Sequence, residues 1–406
     1  MLDRDIMITQ QSMDIKKAYN SYNTRKDQEC FEAWDLGSHD VFNKSVRPDD
    51  KIMVRDEHWE DGKLIPAVLE DMEVNRIGYP MEQDIVRKHT TFTVGREPFL
   101  DCHPKTDTES QMLELLQQVS HDNKLKYHNK RVVTSWLSEC MVAEYWWTDP
   151  ETRELKVELW SPFRGDKLVP EKDRKGKLIG FYRFYSTYDD AGSELQWCYY
   201  INQAEVKVYL LNRGEWILSE EKSFSHGFEK IPVVYMDRAK PLCDVIKTLR
   251  SRIEMVWSNS ADCNDYHYAP KQIITGDIEV MNSNPTGRHK TIKLENGGDI
   301  KMLTWDQSSE MVATEVEKLE ETAYQIMNTP RMSPKEISST GATSGEAFKY
   351  VFAGIRLAVE AHEEDVGEYL QRRVNFLLHA LSKIHPELSD AEGMRVSPIL
   401  VPYQVD

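Results

Sequence analysis

The densest string of potential metal ligands is His362-Glu363-Glu364-Asp365. It falls in a predicted helix, where consecutive side chains point in different directions, so the four groups do not converge on one ion. The pattern therefore favours a solvated acidic helix face over a metal site. Cys102 and His103 are adjacent, but a nucleophile and its base must approach in space, which adjacency does not provide. We predict neither a metal site nor a catalytic residue.

Motifs that carry common chemistries are missing from the sequence. It contains no GxxxxGK[ST] loop, no GxGxxG turn, no HExxH helix and no GxSxG turn. The run 145–147, Tyr-Trp-Trp, is suited to base stacking, yet packing in a core or interface is the favoured interpretation. We therefore expect no enzyme and no cofactor. Six cysteines without a CxxC pair indicate reduced, mostly buried thiols: Cys30, Cys102, Cys140, Cys198, Cys243 and Cys263.

Charge and hydropathy exclude two further classes of protein. The 406 residues include 51 lysines and arginines against 68 aspartates and glutamates, a formal net charge of −17. A protein that grips DNA through counterion release needs a basic face, so the whole chain is not predicted to bind DNA tightly. It has no run of ~18 apolar residues that would span a bilayer. Residues 1–5 lack the basic and apolar pattern of a secretory signal.

Periodicity and turn signals predict an α+β chain. Residues 85–94, rich in β-branched side chains, are predicted to form a strand. Ser110 is predicted to begin a helix with Met112, Leu116 and Val119 on one apolar face. Short aromatic and β-branched runs separated by turns then predict a β meander: 141–147, 155–160, 179–185, 198–200, 205–210 and 231–235.

Beyond Pro241 the sequence predicts a helix, a small β module and a second helix. The first helix begins at Pro241, a favoured first position. The β module occupies about 271–305, with Asn296-Gly297-Gly298 as a hairpin turn. The second helix, about 309–327, is acidic: 306–328 holds six acidic residues against the single lysine Lys318.

A loop without apolar period, 329–342, leads to a very long predicted helix. Thr343 and Glu346 form a capping box at its start. Its ~40 residues would measure ~60 Å. Apolar side chains recur at steps of four and three, interrupted by His362 and Arg373: Phe348, Phe352, Ile355, Val359, Val366, Tyr369, Leu377, Leu381 and Ile384. A strand-like piece, 395–405, follows.

In element order and in four stretches, the sequence resembles the portal, or head–tail connector, proteins of tailed bacteriophages. The stretches are 227–235 with the Asp-, Asn- and Ser-rich helix after it, the entry of that helix into the β module near Ile273, the end of the acidic helix at 327–332, and 341–350. The last is similar to the family's Ser-Gly-x-Ala-Leu helix start, with Phe348 in place of the commoner leucine. The similarity covers about 85–400.

The resemblance implies a portal-like α+β fold with an α/β wing, a two-helix stem, a small β clip and one very long helix. A helical crown, which many members carry after the last strand, is expected to be reduced or absent. The implied parts are an N-terminal arm or wing edge (1–84), the wing (85–240), stem helices (241–270 and 308–328), the clip (271–307), a tunnel loop (329–343), the long wing helix (344–384) and a C-terminal strand (385–406).

The resemblance also implies a function and partners. Portal proteins form a homo-oligomeric ring of about twelve subunits with closed symmetry. The ring occupies one capsid vertex, at the head–tail junction of the virion, and double-stranded DNA passes through it without sequence specificity during packaging and ejection. Implied partners are a terminase ATPase, a head–tail adaptor, and the major capsid and scaffold proteins, with no membrane. Assembly is expected in the host cytoplasm.

Candidate site residues follow from charge and from these implied parts. An acidic stem lining would repel phosphate and let DNA slide, although a solvated helix face explains the same charges. Clip residues 271–305 are less acidic, with five basic against four acidic side chains, and suit contact with a partner. The candidates are Glu310, Glu317, Lys318 and Glu321 in the stem; Arg331, Lys335, Ser338, Ser339 and Thr340 in the tunnel loop; and Arg288, Lys290 and Lys293 in the clip.

Two other hypotheses remain open from the sequence. One is a non-viral scaffold that uses the long helix as a two-stranded coiled coil, although His362 and Arg373 would lie in its apolar seam. The other is an α+β enzyme whose site is assembled from scattered residues, which the missing motifs disfavour. Mass measurement separates a ring, a dimer and a small enzyme-like species.

Overall fold

The computed structural model describes residues 2–22, 34–55, 57–60, 63–267, 271–275, 278–280, 292–294, 299–303, 309–331 and 352–401. Helices and sheets are mixed throughout, which confirms the predicted α+β class. The chain divides into two compact units. The first unit comprises Met1–Ser38, Pro80–Lys247 and Tyr324–Asp406, and the second comprises His39–Tyr79 and Thr248–Ala323.

Within the described residues the α-helices are α1 (Leu2–Ser21), α2 (Met81–Val94), α3 (Asp107–Asp122), α4 (Leu125–Glu139), α5 (Lys247–His267), α6 (Ser309–Ile326) and α7 (Ala353–Ile384). Short 3-10 helices lie at Leu36–Ser38, Asp40–Phe42, Pro162–Arg164, Glu220–Lys222, Leu242–Ile246 and Pro386–Ala391. None of the described helices is both long and apolar enough to span a bilayer.

The described strands are β1 (Asp50–Arg55), β2 (His58–Glu60), β3 (Lys63–Ile65), β4 (Val68–Met72), β5 (Phe99–Asp101), β6 (Met141–Thr148), β7 (Leu155–Trp160), β8 (Lys167–Lys172), β9 (Leu178–Tyr188), β10 (Glu194–Ile201), β11 (Glu205–Asn212), β12 (Glu215–Leu218), β13 (Phe224–Ser225), β14 (Val233–Asp237), β15 (Lys271–Thr275), β16 (Ile278–Val280), β17 (Ile292–Leu294), β18 (Asp299–Leu303) and β19 (Ser397–Ile399).

The predicted strand at 85–94 is wrong, because these residues belong to helix α2. Its β-branched residues have strand propensity, but the buried side chains of Met81, Ile85, His89 and Phe92 recur at helical spacing. Burial of that stripe outweighs the weak local preference. Helix α3 begins at Asp107, three residues before the predicted Ser110, because the Thr106 side chain accepts a hydrogen bond from the Glu109 backbone N–H.

The middle segments of the predicted meander form one sheet of the first unit, in the order β12-β11-β10-β9-β8, whereas its first two segments and its last belong to a separate sheet. Side chains alternate across it, so Phe181 and Val208 face a core shared with the separate sheet β14-β6-β7. Tyr182 and Tyr209 point to the other face, where Ile15 of α1 packs on them. The sheet therefore lies between a second sheet and a helix.

The β module of the second unit pairs differently from its prediction. Strand β15 pairs with β18, and β16 pairs with β17, all antiparallel. The strands on either side of Asn296-Gly297-Gly298 are therefore not partners, and the predicted hairpin between them is wrong. Residues 295–298 themselves lie outside the described residues.

Polar side chains connect segment 39–79 to α5 within the second unit. The Glu254 carboxylate, fully buried, accepts a hydrogen bond from the Tyr79 backbone N–H at 2.8 Å and lies 2.5 Å from Nδ1 of His39. One turn further, Ser258 Oγ accepts from the Ile77 backbone N–H at 3.0 Å. Asp262 accepts from the Asn75 backbone N–H at 2.7 Å. Glu254, Ser258 and Asp262 of α5 thus bind the backbone of a segment that is distant in sequence.

Candidate functional site

Helix α2 contacts both described ends of the segment that joins α6 to α7. The first end, 324–331, comprises the last residues of α6 and those that follow it, and the second begins at Phe352; residues 332–351 lie outside the description. We call the residues in contact at these two ends the loop anchor. They are Asp84, Lys88, His89 and Phe92 on α2, Tyr324, Met327, Thr329 and Pro330 at and after the end of α6, and Phe352, Ile355, Val359 and His362 in and just before the first turns of α7.

Lys88 organises the charged part of the loop anchor. Its Nζ donates to the Pro330 carbonyl at 3.1 Å and pairs with the Asp84 carboxylate at 2.6 Å. It also lies 5.0 Å from the centre of the Tyr324 ring, a cation–π distance. The Tyr324 hydroxyl donates to Asp84 at 2.9 Å. These mutual contacts hold the backbone at Pro330 against α2.

Two buried histidines form the centre of the loop anchor. Nε2 of His89 lies 3.2 Å from the Met327 carbonyl, which can only accept, so this nitrogen carries the proton. Nδ1 of His89 is then an acceptor, and Nε2 of His362 donates to it at 3.3 Å. Both rings are neutral in this arrangement. A proton added to His89 would place two N–H donors against each other.

Burial keeps the two histidines neutral. Loss of hydration lowers the pKa of His89 to about 4, despite its bond to the Met327 carbonyl. Loss of hydration, the His89 ring and the charge of Arg238 lower the pKa of His362 to about 3. Trp136 of α4 packs edge-on against His362, with ring centres 5.5 Å apart. His362, one of the two polar residues that interrupt the apolar pattern of the long helix, is thus a core residue.

We expect stability to fall as the pH falls below the ordinary histidine pKa of 6.5. Between that value and about pH 4, the unfolded chain binds protons that the folded chain excludes, so the free energy of unfolding decreases with decreasing pH. Each histidine contributes up to ~1.4 kcal/mol per pH unit. Urea unfolding at several pH values measures the slope of the free energy of unfolding against pH, which the His89→Asn/His362→Asn variant should reduce. The control is the His103→Asn variant, because the side chain of His103 is 96% exposed. An equal slope in wild type, the double variant and the control would contradict the prediction.

Aromatic and aliphatic packing holds the second end of the segment. The rings of Phe92 and Phe352 lie with centres 5.4 Å apart. Ile355 and Val359, one and two turns along α7, complete a buried cluster with them. One helix therefore holds residue 330 through polar contacts and residue 352 through apolar ones.

Arg373, the other polar residue in the apolar pattern of the long helix, belongs to another buried network. Its guanidinium forms a bidentate ion pair with Glu144 of β6, with N–O distances of 2.5 and 2.9 Å. It also donates to Asn129 of α4 at 2.6 Å and to the Tyr369 hydroxyl at 3.1 Å. Burial by itself would raise the pKa of Glu144, but the charges of Arg373 and His128 outweigh it and lower that pKa to about 2. The pair joins α7 to the sheet.

The structure shows the stem candidates on α6 exposed. Glu310, Glu317, Lys318 and Glu321 all face solvent, while Val316 and Ala323 are buried. Glu310, Glu317 and Glu321 are seven and four residues apart, so they share one helix face. Ile326, at the end of the helix, is 49% exposed. Glu315 pairs with Arg252 of α5 at 2.8 Å.

Most loop and clip candidates lie outside the described residues. Arg331 is described and is partly buried at the end of its segment. Lys335, Ser338, Ser339, Thr340, Arg288 and Lys290 lie outside the description, as does the capping box at Thr343. Lys293 lies on β17, where only the backbone is described. The candidate role of these residues therefore stays a prediction.

Most of the residues considered above for stacking, catalysis or metal binding have structural roles in the fold. Tyr145 and Trp146 are buried, and Tyr145 stacks on Trp160 with ring centres 4.8 Å apart. Partial burial and nearby acidic residues raise the pKa of the Cys102 thiol, which keeps it protonated and a weak nucleophile. In the described part of the chain, no three metal-binding side chains converge, and the five cysteines there are free thiols.

The loop anchor was missed by sequence reasoning, because it joins residues of α2 to residues more than 230 positions away. The available signal was indirect. His89 and His362 are polar residues within otherwise apolar helical stripes, and such positions call for a buried partner.

Comparison with known proteins places this architecture in a family. The family model for phage portal proteins of the SPP1 Gp6-like type matches residues 9–399. No match is found among curated proteins. The chain therefore belongs to the SPP1 Gp6-like phage portal proteins, which are structural components of the virion and not enzymes. This outcome confirms the resemblance predicted from the sequence.

Three solved structures are also similar to the chain. They are the neck of an empty gene transfer agent (GTA) particle computed with C6 symmetry (14% identity, TM-score 0.45, covering 81% of this chain and 82% of that one), the virion of a native GTA particle (14%, 0.40, 79% and 80%) and the neck of a native GTA particle computed with C12 symmetry (15%, 0.40, 79% and 80%).

Proposed function

We propose that this portal protein assembles into a ring of about twelve subunits, with closed rotational symmetry, around a channel for double-stranded DNA. Family membership supports the ring. The observation that carries the channel assignment is the row of exposed carboxylates on α6, Glu310, Glu317 and Glu321. A negative lining repels phosphate, so DNA slides through without being held. The ring occupies one capsid vertex.

In this proposal α5 and α6 form the stem, and β15 to β18 form the clip. The rest of the first unit, including α7, forms the wing. The coiled-coil alternative is disfavoured by α7 itself, since Ile355, Val359, Val366 and Tyr369 are buried against their own chain. They are not available to a second helix. An enzyme is excluded by the family.

The partners are proposed from the same assignment. The less acidic clip, through Arg288, Lys290 and Lys293, contacts a terminase ATPase during packaging and a head–tail adaptor afterwards. Major capsid and scaffold proteins surround the wing during assembly in the host cytoplasm. Packaging energy comes from the ATPase, because a portal protein supplies none.

Native mass measurement of the purified protein, with negative-stain images, tests the ring. We expect a single species of about twelve subunits with a central hole. A stable monomer or dimer at micromolar concentration would contradict the proposal. A structure of the ring with Glu310, Glu317 and Glu321 on its outer surface would contradict the channel lining alone.

A separate prediction concerns the loop cations. Replacing Arg331 and Lys335 by alanine is expected to leave assembly intact but to change packaged DNA length or DNA retention. Salt screens charge interactions strongly at physiological ionic strength, so in this proposal these side chains touch passing phosphates only briefly. Particle yield and packaged DNA length measure the effect against wild type. Normal, full-length packaging would count against a channel role for these two side chains.

A further inference from the structure

Helix α4 presents a face of positive charge to solvent. Lys126 and Arg131 are exposed and Lys130 is half-buried, with Lys124 exposed at the N-cap. The one carboxylate of α4, Glu139, is buried at its far end. Tyr127, 58% exposed, lies beside Arg131 on the same face. We call this set the basic face.

The first turns of α7 present the opposite charge. Glu360, Glu364 and Asp365 are exposed and Glu363 is half-buried. Glu368, one further turn along, has a partner in Arg372 at 3.8 Å. No lysine or arginine lies between Leu357 and Gln371. We call Glu360, Glu363, Glu364 and Asp365 the acidic face.

Neither face is neutralised within the described part of its own chain. None of Lys124, Lys126, Lys130 and Arg131 has an ion-pair partner there, and the same holds for the four carboxylates of the acidic face. Like charges four residues apart on a helix repel, as Lys126 and Lys130 do, and as Glu360 and Glu364 do. Burial and the charge of Glu360 accordingly raise the pKa of Glu363. Each face therefore costs stability until an opposite charge covers it.

Both faces belong to the first unit but lie on different helices. The buried sides of α4 and α7 meet, because Asn129 accepts from Arg373 at 2.6 Å and Trp136 packs on His362. Helix α2 packs against both of them. The basic face and the acidic face are therefore two separate surfaces of one unit.

We propose that the acidic face of α7 in one subunit pairs with the basic face of α4 in a neighbouring copy, and that this contact joins the wings around the ring. The inference rests on the proposed ring. A ring needs two different, complementary surfaces on opposite sides of each subunit, because its interfaces are head-to-tail. Charged rows with the same four-residue spacing, Lys126 and Lys130 against Glu360 and Glu364, fix the register between neighbours.

Charge reversal tests the pairing in the full chain. The acidic-face variant is Glu360→Lys/Glu364→Lys, and the basic-face variant is Lys126→Glu/Lys130→Glu. In each variant the altered row, 360 and 364 or 126 and 130, has the same sign as the row that it faces in a neighbouring copy, and like charges brought together across an interface oppose association. We expect the fraction of protein in rings to fall at least about tenfold in each, at a concentration where wild type is fully assembled.

Mixing the two variants is the decisive step. An alternating ring restores opposite charges at every contact, so an equimolar mixture should regain rings that contain the two variants in equal numbers by native mass measurement. The control Asp190→Lys/Glu194→Lys makes the same change in net charge as the acidic-face variant, at two exposed residues in the turn before β10 and at its first position, and should assemble like wild type. Restoration by mixing also shows that both variants are folded.

The outcomes separate this contact from the ring itself. If wild type forms rings and either reversal variant also assembles normally, the proposed contact is overturned but the proposed ring is not. Loss of rings in both variants without recovery on mixing would likewise overturn the pairing. A wild-type protein that forms no ring would overturn the proposed function, and the contact with it.

Discussion

Replacement of Arg373 by methionine is expected to lower the free energy of unfolding by ~3–5 kcal/mol. The substitution leaves the Glu144 carboxylate fully buried without its bidentate partner, next to Nε2 of His128 at 2.7 Å, and Asn129 loses its guanidinium donor. Removing one partner of a buried ion pair costs far more than the net worth of the pair. Denaturant unfolding of the variant against wild type at neutral pH measures the loss.

The control is the double variant Glu144→Gln/Arg373→Met, which removes both charges. It should recover much of the stability, because a neutral amide is easier to bury than a carboxylate that has lost its guanidinium partner. Equal losses in the single and double variants would show that the charge of Glu144 is not the cause.

The pH dependence of this ion pair differs from that of the histidine pair. A lowered carboxyl pKa contributes stability above the unfolded value of 4.5, and the contribution is lost as the pH falls through about 2. The histidines act from 6.5 down to about 4 for His89 and about 3 for His362. Falling pH should therefore reduce stability first through the histidines, and below about 4.5 through Glu144 as well.

Replacement of Phe352 by alanine is expected to cost ~3–5 kcal/mol, since a buried aromatic side chain leaves a cavity that its surroundings fill only in part. Phe352 is 5% exposed and packs on Phe92, Ile355 and Val359. Thermal or denaturant unfolding measures the loss. The matched control is Leu357→Ala on the same helix, because Leu357 is 67% exposed and its removal should change stability little.

A Phe352→Ala protein that melts and assembles like wild type would show that the cluster with Phe92 does not hold the start of α7. The loop anchor holds residues 330 and 352 on one helix, so a destabilised variant would instead show that this contact keeps residue 352 against α2.

Local signals in the sequence determined much of the architecture. Helical periodicity predicted α6 and the described part of α7, and turn-separated aromatic runs predicted strands between 141 and 235, because these features depend on neighbours within a few residues. The ordered series of helices, β module and loop was sufficient to indicate the portal family. The acidic row on α6 could likewise be predicted from the sequence, since residues four and seven apart share a helix face.

Tertiary structure alone decided the contacts between distant segments. Residues 85–94 read as a strand by propensity, and only burial of Ile85 and His89 against other elements makes them a helix. His362 and Arg373 look like defects in an apolar ladder until His89 and Glu144 are found beside them. Periodicity reports which face of an element is buried, but not what lies against it; the partner is set by packing and by the need to satisfy each buried polar group.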